Sequence, residues 1–133
     1  MGLQPSPADD ITTKVSRLPV NEAAVRFVDL LNEKAVKVFS VIDQAEEARR
    51  VGLELRATVL VVFGNPAAGT PVMAAAPLSA LDLPLRVLIW DDAGTTKVSY
   101  YVPESIARRH GVLAELAGNL GAIDVLTDAL VAE

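Results

Sequence analysis

Phe63-Gly64-Asn65-Pro66, then Gly69-Thr70, then Leu81-Asp82-Leu83-Pro84-Leu85 is the ordered run on which the fold of this chain turns. The residues ahead of it, Thr58–Phe63 (T-V-L-V-V-F), are apolar on both faces and read as a strand in the middle of a sheet, with cover on each side. Gly64-Asn65-Pro66 stops that strand sharply, because each of the three residues constrains the backbone in a different way. Thr70–Ala76 reads as a short helix with Thr70 as N-cap and Pro71 at the first helical position. Pro77–Leu83 reads as a loop. Leu85–Asp91 is again apolar on both faces and includes Trp90. Asp92-Ala93-Gly94 makes a tight turn into Thr96–Val102, its antiparallel partner. That partner sets Val98, Tyr100 and Val102 opposite Lys97, Ser99 and Tyr101.

Upstream, Ile11–Leu18 alternates. Ile11, Thr13 and Val15 face one way and Thr12, Lys14 and Ser16 the other, the pattern of a half-buried strand that Pro19 ends. From Val20, apolar residues at Ala24, Phe27, Val28 and Leu31 recur at helical spacing as far as Glu33. Ala35–Ile42 reads as a strand with Val36, Val38 and Ile42 on one face and Phe39 and Val41 on the other. Asp43–Val51 reads as a short helix with Asp43 as N-cap, Glu46 three residues on, and Gly52 as the stop. Downstream, Pro103 opens a helical tail that breaks at Gly111 and around Gly118-Asn119. The tail then sets Ile123, Leu126 and Leu130 on one face. Successive strands in the C-terminal half predict an α+β fold, an antiparallel sheet with helices on one face. Residues 11–133 are expected to form one domain, with a disordered lead-in over 1–10.

The 133 residues suffice for one domain with its own core. There are no cysteines, which excludes disulfides and thiolate metal sites. Twelve basic and 17 acidic side chains leave a net charge of −5. The basic residues are scattered, with Arg49-Arg50 and Arg108-Arg109 the densest pairs, so nucleic-acid binding is not expected. The hydrophobic fraction is 51% and the mean hydropathy +0.35. This excess predicts apolar surface covered by a partner, most simply an identical subunit. No uncharged apolar run is long enough to span a bilayer, and Met1–Asp10 lacks the features of a signal peptide. The expected setting is the cytoplasm, away from membranes.

The one histidine, His110, reads as a cation complementing the end of its helix. With no cysteine beside it, a histidine–cysteine metal site is excluded and a Ser-His-Asp triad disfavoured. Asp82 lies among Leu81, Leu83 and Pro84. It either caps backbone N–H groups or has a raised pKa, and the cap is favoured. Asp43 has the same two readings, again with the cap favoured. Asp91 and Asp92 read as hairpin residues. The loop from Gly64 to Pro71 has the shape of an anion cradle but neither a P-loop nor a dinucleotide fingerprint. Met73 and Trp90 read as core residues.

Taken together, these segments resemble the domain-of-unknown-function family 302. The residues that carry the resemblance are Asp43 with Ala45 and Ala48, Gly52-Leu53-Glu54-Leu55-Arg56, Thr58, F-G-N-P, Gly69-Thr70, L-D-L-P-L and Tyr100. Two positions depart from the family pattern: Gln44 stands where a histidine is frequent, and Ala57 where a proline is. The resemblance implies a TATA-binding-protein-like α+β fold with a curved antiparallel sheet in strand-helix-four-strand-helix order. It also implies a small homodimer, and no established activity.

Three functions are weighed. The leading one is a non-enzymatic, homodimeric module that binds an unidentified small molecule, without cofactor or metal, in a pocket between sheet and helices. Its candidate residues are Thr58, Phe63, Asn65, Thr70, Met73, Asp82 and Tyr100. The second is an enzyme using Asp43 or Asp82 as acid or base, which requires a carboxylate with a strongly raised pKa. The third is a purely structural dimerisation domain.

Overall fold

The computed structural model describes residues 10–133; the expected disordered lead-in lies, apart from Asp10, outside the described residues. The elements run β1 (Ile11–Ser16), α1 (Val20–Glu33), β2 (Lys37–Asp43), α2 (Gln44–Arg50), β3 (Thr58–Gly64), α3 (Pro66–Ala75), β4 (Leu85–Asp92), β5 (Thr95–Tyr101), α4 (Pro103–His110), α5 (Ala114–Ala117) and α6 (Ala122–Val131). All strand pairs are antiparallel, in the order β1-β5-β4-β3-β2. With α2 and α3 as short insertions, this is the strand-helix-four-strand-helix order expected from the sequence.

One face of the sheet is the core. Val59, Val61 and Phe63 of β3, Val87 and Ile89 of β4, and Val98 and Tyr100 of β5 are buried there. They meet Ala23, Ala24, Phe27, Leu30 and Leu31 of α1 and Ile123, Leu126 and Leu130 of α6. The spacing in α1 is the i, i+3, i+4, i+7 stripe of a helix that buries one side. Phe27 and Phe63 meet edge to face at 5.4 Å between ring centroids.

The opposite face corrects the expectation of cover on both sides. Leu60, Val62, Leu88 and Trp90 are only half-buried, because the packed helices lie on the other face. A sheet of this kind can leave one face to solvent; here that face mixes Leu60, Val62, Leu88 and Trp90 with Arg86, Lys97 and Ser99, and the Lys97 Nζ lies over the Trp90 ring.

The edge strands settle one orientation and correct one reading. In β1 the two faces divide as expected, and the one carrying Thr12, Lys14 and Ser16 turns inward. Lys14 lies over the Tyr100 ring and reaches α6, where its Nζ is 2.7 Å from both Asp128 Oδ1 and Thr127 Oγ1. Ile11 and Val15 therefore point outward and are exposed. In β2 a bulge between Val38 and Ser40 resets the alternation, placing Val41 opposite Val61 and Ile42 opposite Leu60. Val38 and Ile42 thus fall on different faces, not on one.

Helix α3 begins at Pro66, not at Thr70. Asn65 Oδ1 accepts the Ala67 N–H at 3.0 Å and Pro66 takes the first helical position, leaving Pro71 inside the helix. The sequence offers two cap-proline pairs, Asn65-Pro66 and Thr70-Pro71. Asparagine caps at least as well as threonine and is met first as the chain leaves β3. Pro77–Leu81, expected as loop, forms a 3-10 turn. The hairpin turn at Ala93-Gly94 has both residues at positive φ, 51° and 96°, as a two-residue connection between twisted strands requires.

Candidate functional site

A cavity of about 380 Å³ opens where β3 ends and β4 begins, roofed by α3 and closed by the start of α6. Its floor includes Phe63, Leu85 and Leu126 from the core. Phe39, displaced by the β2 bulge, and Pro84 form one wall, with Gly64 between them. A β-carbon at Gly64 would stand 3.4 Å from the Pro84 Cβ and 3.7 Å from the Phe39 ring, so glycine keeps this wall thin. Gly69, Thr70 and Met73 line the roof, and Asn65 and Asn119 the rim. None of the described lining residues is Asp, Glu, Lys, Arg or His.

Four of the seven candidate residues, Phe63, Asn65, Thr70 and Met73, come together in this cavity. The other three do not. Thr58 is at the far end of β3, about 20 Å along the strand, and its hydroxyl donates to the Arg56 carbonyl at 2.8 Å. Tyr100 is buried on the core face and its hydroxyl donates to the Asp124 carboxylate. Asp82 turns toward α4. The lining residues that sequence reading missed, Phe39, Leu126 and Asn119 among them, come from three separate stretches of chain. Their only local signal was the break at Gly118-Asn119.

The Asp82 environment differs from the expected backbone cap. The Asp82 carboxylate takes its partners from side chains at the end of α4. His110 Nε2 lies 2.6 Å from Asp82 Oδ2, and Arg109 Nη1 lies 2.8 Å from the same oxygen. His110 is the last residue of α4, as expected, and gains this partner from a loop 28 residues away. Burial by itself pushes the Asp82 carboxyl up, but the hydrogen bonds and charges of His110 and Arg109 outweigh it and hold the pKa below its ordinary value. A carboxylate held ionised is poorly suited to act as a general acid. Asp43 caps α2, accepting the Glu46 N–H at 2.9 Å as expected.

The lowered Asp82 pKa makes stability depend on pH with a definite sign. In the window between the folded and unfolded pKa values the unfolded chain binds more protons, so stability rises with pH there. The contribution is complete above about pH 4 and is lost as pH falls through the folded value. Thermal unfolding of the wild type is expected to move to lower temperature below that pH. Asp82→Asn should show a shallower decline; an identical decline would remove this account.

A larger hollow of about 720 Å³ lies beside the start of α1, lined in part by Arg17, Glu22 and Asp91. It is an open surface depression of mixed charge and contains none of the seven candidates. The smaller cavity is the better-formed site.

Within the cavity roof, Gly69 sits in helix α3, and a β-carbon there would meet only the Met73 Cε, at an ordinary 3.9 Å. Gly69→Ala is expected to stabilise the fold by about 0.5–1 kcal/mol, since it removes unfolded-state freedom without a clash. Urea unfolding measures this, and a loss of stability would show that the roof packs differently.

Comparison with known proteins agrees with the fold. The model of the family described as "Domain of unknown function DUF302" matches residues 11–130. The fluoride-specific ion channel FluC 1 of Brucella suis biovar 1 (strain 1330) is 36% identical over 104 residues, which is 77% of this chain and 41% of that protein. FluC 1 of Brucella abortus biovar 1 (strain 9-941) has the same identity over 38% of its length. The chain thus spans about two-fifths of the curated relatives it matches. A crystal structure of an uncharacterized conserved protein DUF302 from Bacillus stearothermophilus superposes with a TM-score of 0.77 at 19% identity. The superposition covers 92% of this chain and 96% of that one, and at this identity it shows the shared fold.

Proposed function

This chain belongs to the DUF302 family of domains of unknown function, and on that premise we propose that it is a non-enzymatic module that binds a small molecule in the cavity beneath Asn65-Pro66. The observation that carries the reading is the lining itself: a concave, largely apolar site with a few neutral polar groups at its rim. General acid–base chemistry needs a titratable group within reach of the substrate. Asp43 and Asp82, the two carboxylates considered for that role, are outside the cavity and already committed to other partners. Thermal-shift screening against a metabolite panel tests the proposal. A ligand at one hundred times its Kd is expected to raise the melting temperature by about 10 °C. A panel without a stabilising member, together with a crystal in which the cavity is collapsed, would sink it.

We further propose that the module is a homodimer, and the open sheet face favours this reading. Leu60, Val62, Leu88 and Trp90 form a half-buried apolar patch on β3 and β4, bordered on β5 by Lys97 and Ser99. A second copy offers a matching surface, which accounts for the apolar excess of the composition. Sedimentation equilibrium at micromolar concentration should give twice the chain mass; a monomer would leave the face and the composition unexplained. The proposed setting is the cytoplasm, which cell fractionation tests. The channel activity named for the Brucella relatives is a property of those proteins, and no described helix here is long and apolar enough to cross a membrane.

A further inference from the structure

The rim of the cavity carries two amides whose orientations are dictated by their partners. The Ala67 N–H at 3.0 Å from Asn65 requires an acceptor, so Asn65 Oδ1 faces it. The Ala68 carbonyl at 3.0 Å from Asn119 requires a donor, so Asn119 Nδ2 faces it. Each asparagine has one polar atom left: a donor, Asn65 Nδ2, and an acceptor, Asn119 Oδ1. Neither has a side-chain hydrogen bond to another described residue. Between this pair and the floor the lining is uncharged and, apart from the Thr70 hydroxyl, made of apolar side chains. An ion placed there would lose its hydration without a counter-charge, because the lining holds no charged side chain and the loop carboxylate of Asp82 is turned to His110 and Arg109.

Resting on the binding reading above, we propose that the ligand is an uncharged, mostly apolar molecule ending in a neutral group that both donates and accepts a hydrogen bond, of the alcohol or primary carboxamide class. Its apolar body lies against Phe63, Leu85 and Leu126, and its head bridges Asn65 and Asn119. A volume of about 380 Å³ is toward the small end of ligand sites, which suits a compact ring or short-chain body.

Calorimetric titration of the full chain with four naphthalene probes tests this. Two are neutral, the 1-carboxamide and the 1-methanol; two are charged, the 1-carboxylate and the 1-methylammonium. The neutral pair is expected to bind about tenfold or more tightly than the charged pair. Gly69→Leu, whose side chain starts toward Met73 without a clash, should abolish binding of the neutral pair while circular dichroism shows the fold intact. Ala122→Phe, placed at the exposed start of α6 on the cavity wall, provides an independent block. If the charged probes bind as tightly and both variants block them, the ligand class is overturned and the binding cavity stands. If probes bind equally to wild type and both variants, the cavity is not the site and both readings fall. If no probe binds at millimolar concentration, the proposed class is overturned, and the metabolite screen decides separately whether the cavity binds anything.

Discussion

Replacing Phe27 with alanine is expected to lower the unfolding free energy by about 3–5 kcal/mol. Phe27 is fully buried, and its ring packs edge to face on Phe63, which is itself 1% exposed and floors the cavity. Truncation removes the transfer free energy of the ring and leaves a void between α1 and β3 that the antiparallel sheet cannot collapse into. Total stabilities of single domains are roughly 5–15 kcal/mol, so this one change removes a large share. Urea unfolding should show a lower midpoint with an unchanged slope. Val25→Ala, on the same helix but 64% exposed, should stay within about 0.5 kcal/mol. A cost below about 1 kcal/mol for Phe27→Ala would mean that α1 does not seat on β3 as described.

The second large effect is expected at Asp82→Ala, with a loss of about 1–3 kcal/mol. The carboxylate is the shared acceptor for His110 and Arg109, and it ties the turn after α3 to the end of α4. The two partners are unequal. The Arg109 side chain is 45% exposed, so water and salt screen its pairing and its share is small. The His110 side chain is 9% exposed, so losing Asp82 leaves it a polar ring with little water to turn to. A double-mutant cycle of Asp82→Ala with His110→Ala should give a coupling energy near 1 kcal/mol. Additive effects would show that the two side chains do not act as a pair. The loss should be fullest at neutral pH, where Asp82→Asn also lacks the charge contribution, and the gap between wild type and Asp82→Asn should close as pH falls.

The Asp82 pair also marks where local reading stops. Within its own segment, an aspartate among leucines and a proline suggests a turn cap, and His110 after two arginines suggests a helix end. Both readings are sound for residues whose partners are near in sequence. The chain between them, 28 positions from one to the other, contains two strands, and only their antiparallel pairing returns α4 to the turn. Lys14 behaves alike: alternation groups it with Thr12 and Ser16, and only Asp128, Thr127 and Tyr100 draw that face inward. For the cavity, the F-G-N-P and Gly69-Thr70 segments supplied Phe63, Asn65 and Thr70, because a strand end and the helix after it are neighbours by construction. Phe39 and Asn119 were beyond reach, since one depends on a bulge and the other on how the tail folds back.

The sequence by itself determined the element order, the limits of α1, the capped start of α2, the tight hairpin and the apolar stripe of α6. Each is set by propensity, capping or periodicity over a few adjacent residues. Only the tertiary structure decided which face each edge strand presents, which of two proline-capped starts opens α3, what Asp82 binds, and that a neutral cavity lies under F-G-N-P. These outcomes depend on side chains brought together across the sheet. A one-residue bulge or a distant charge outweighs a local preference of a fraction of a kilocalorie.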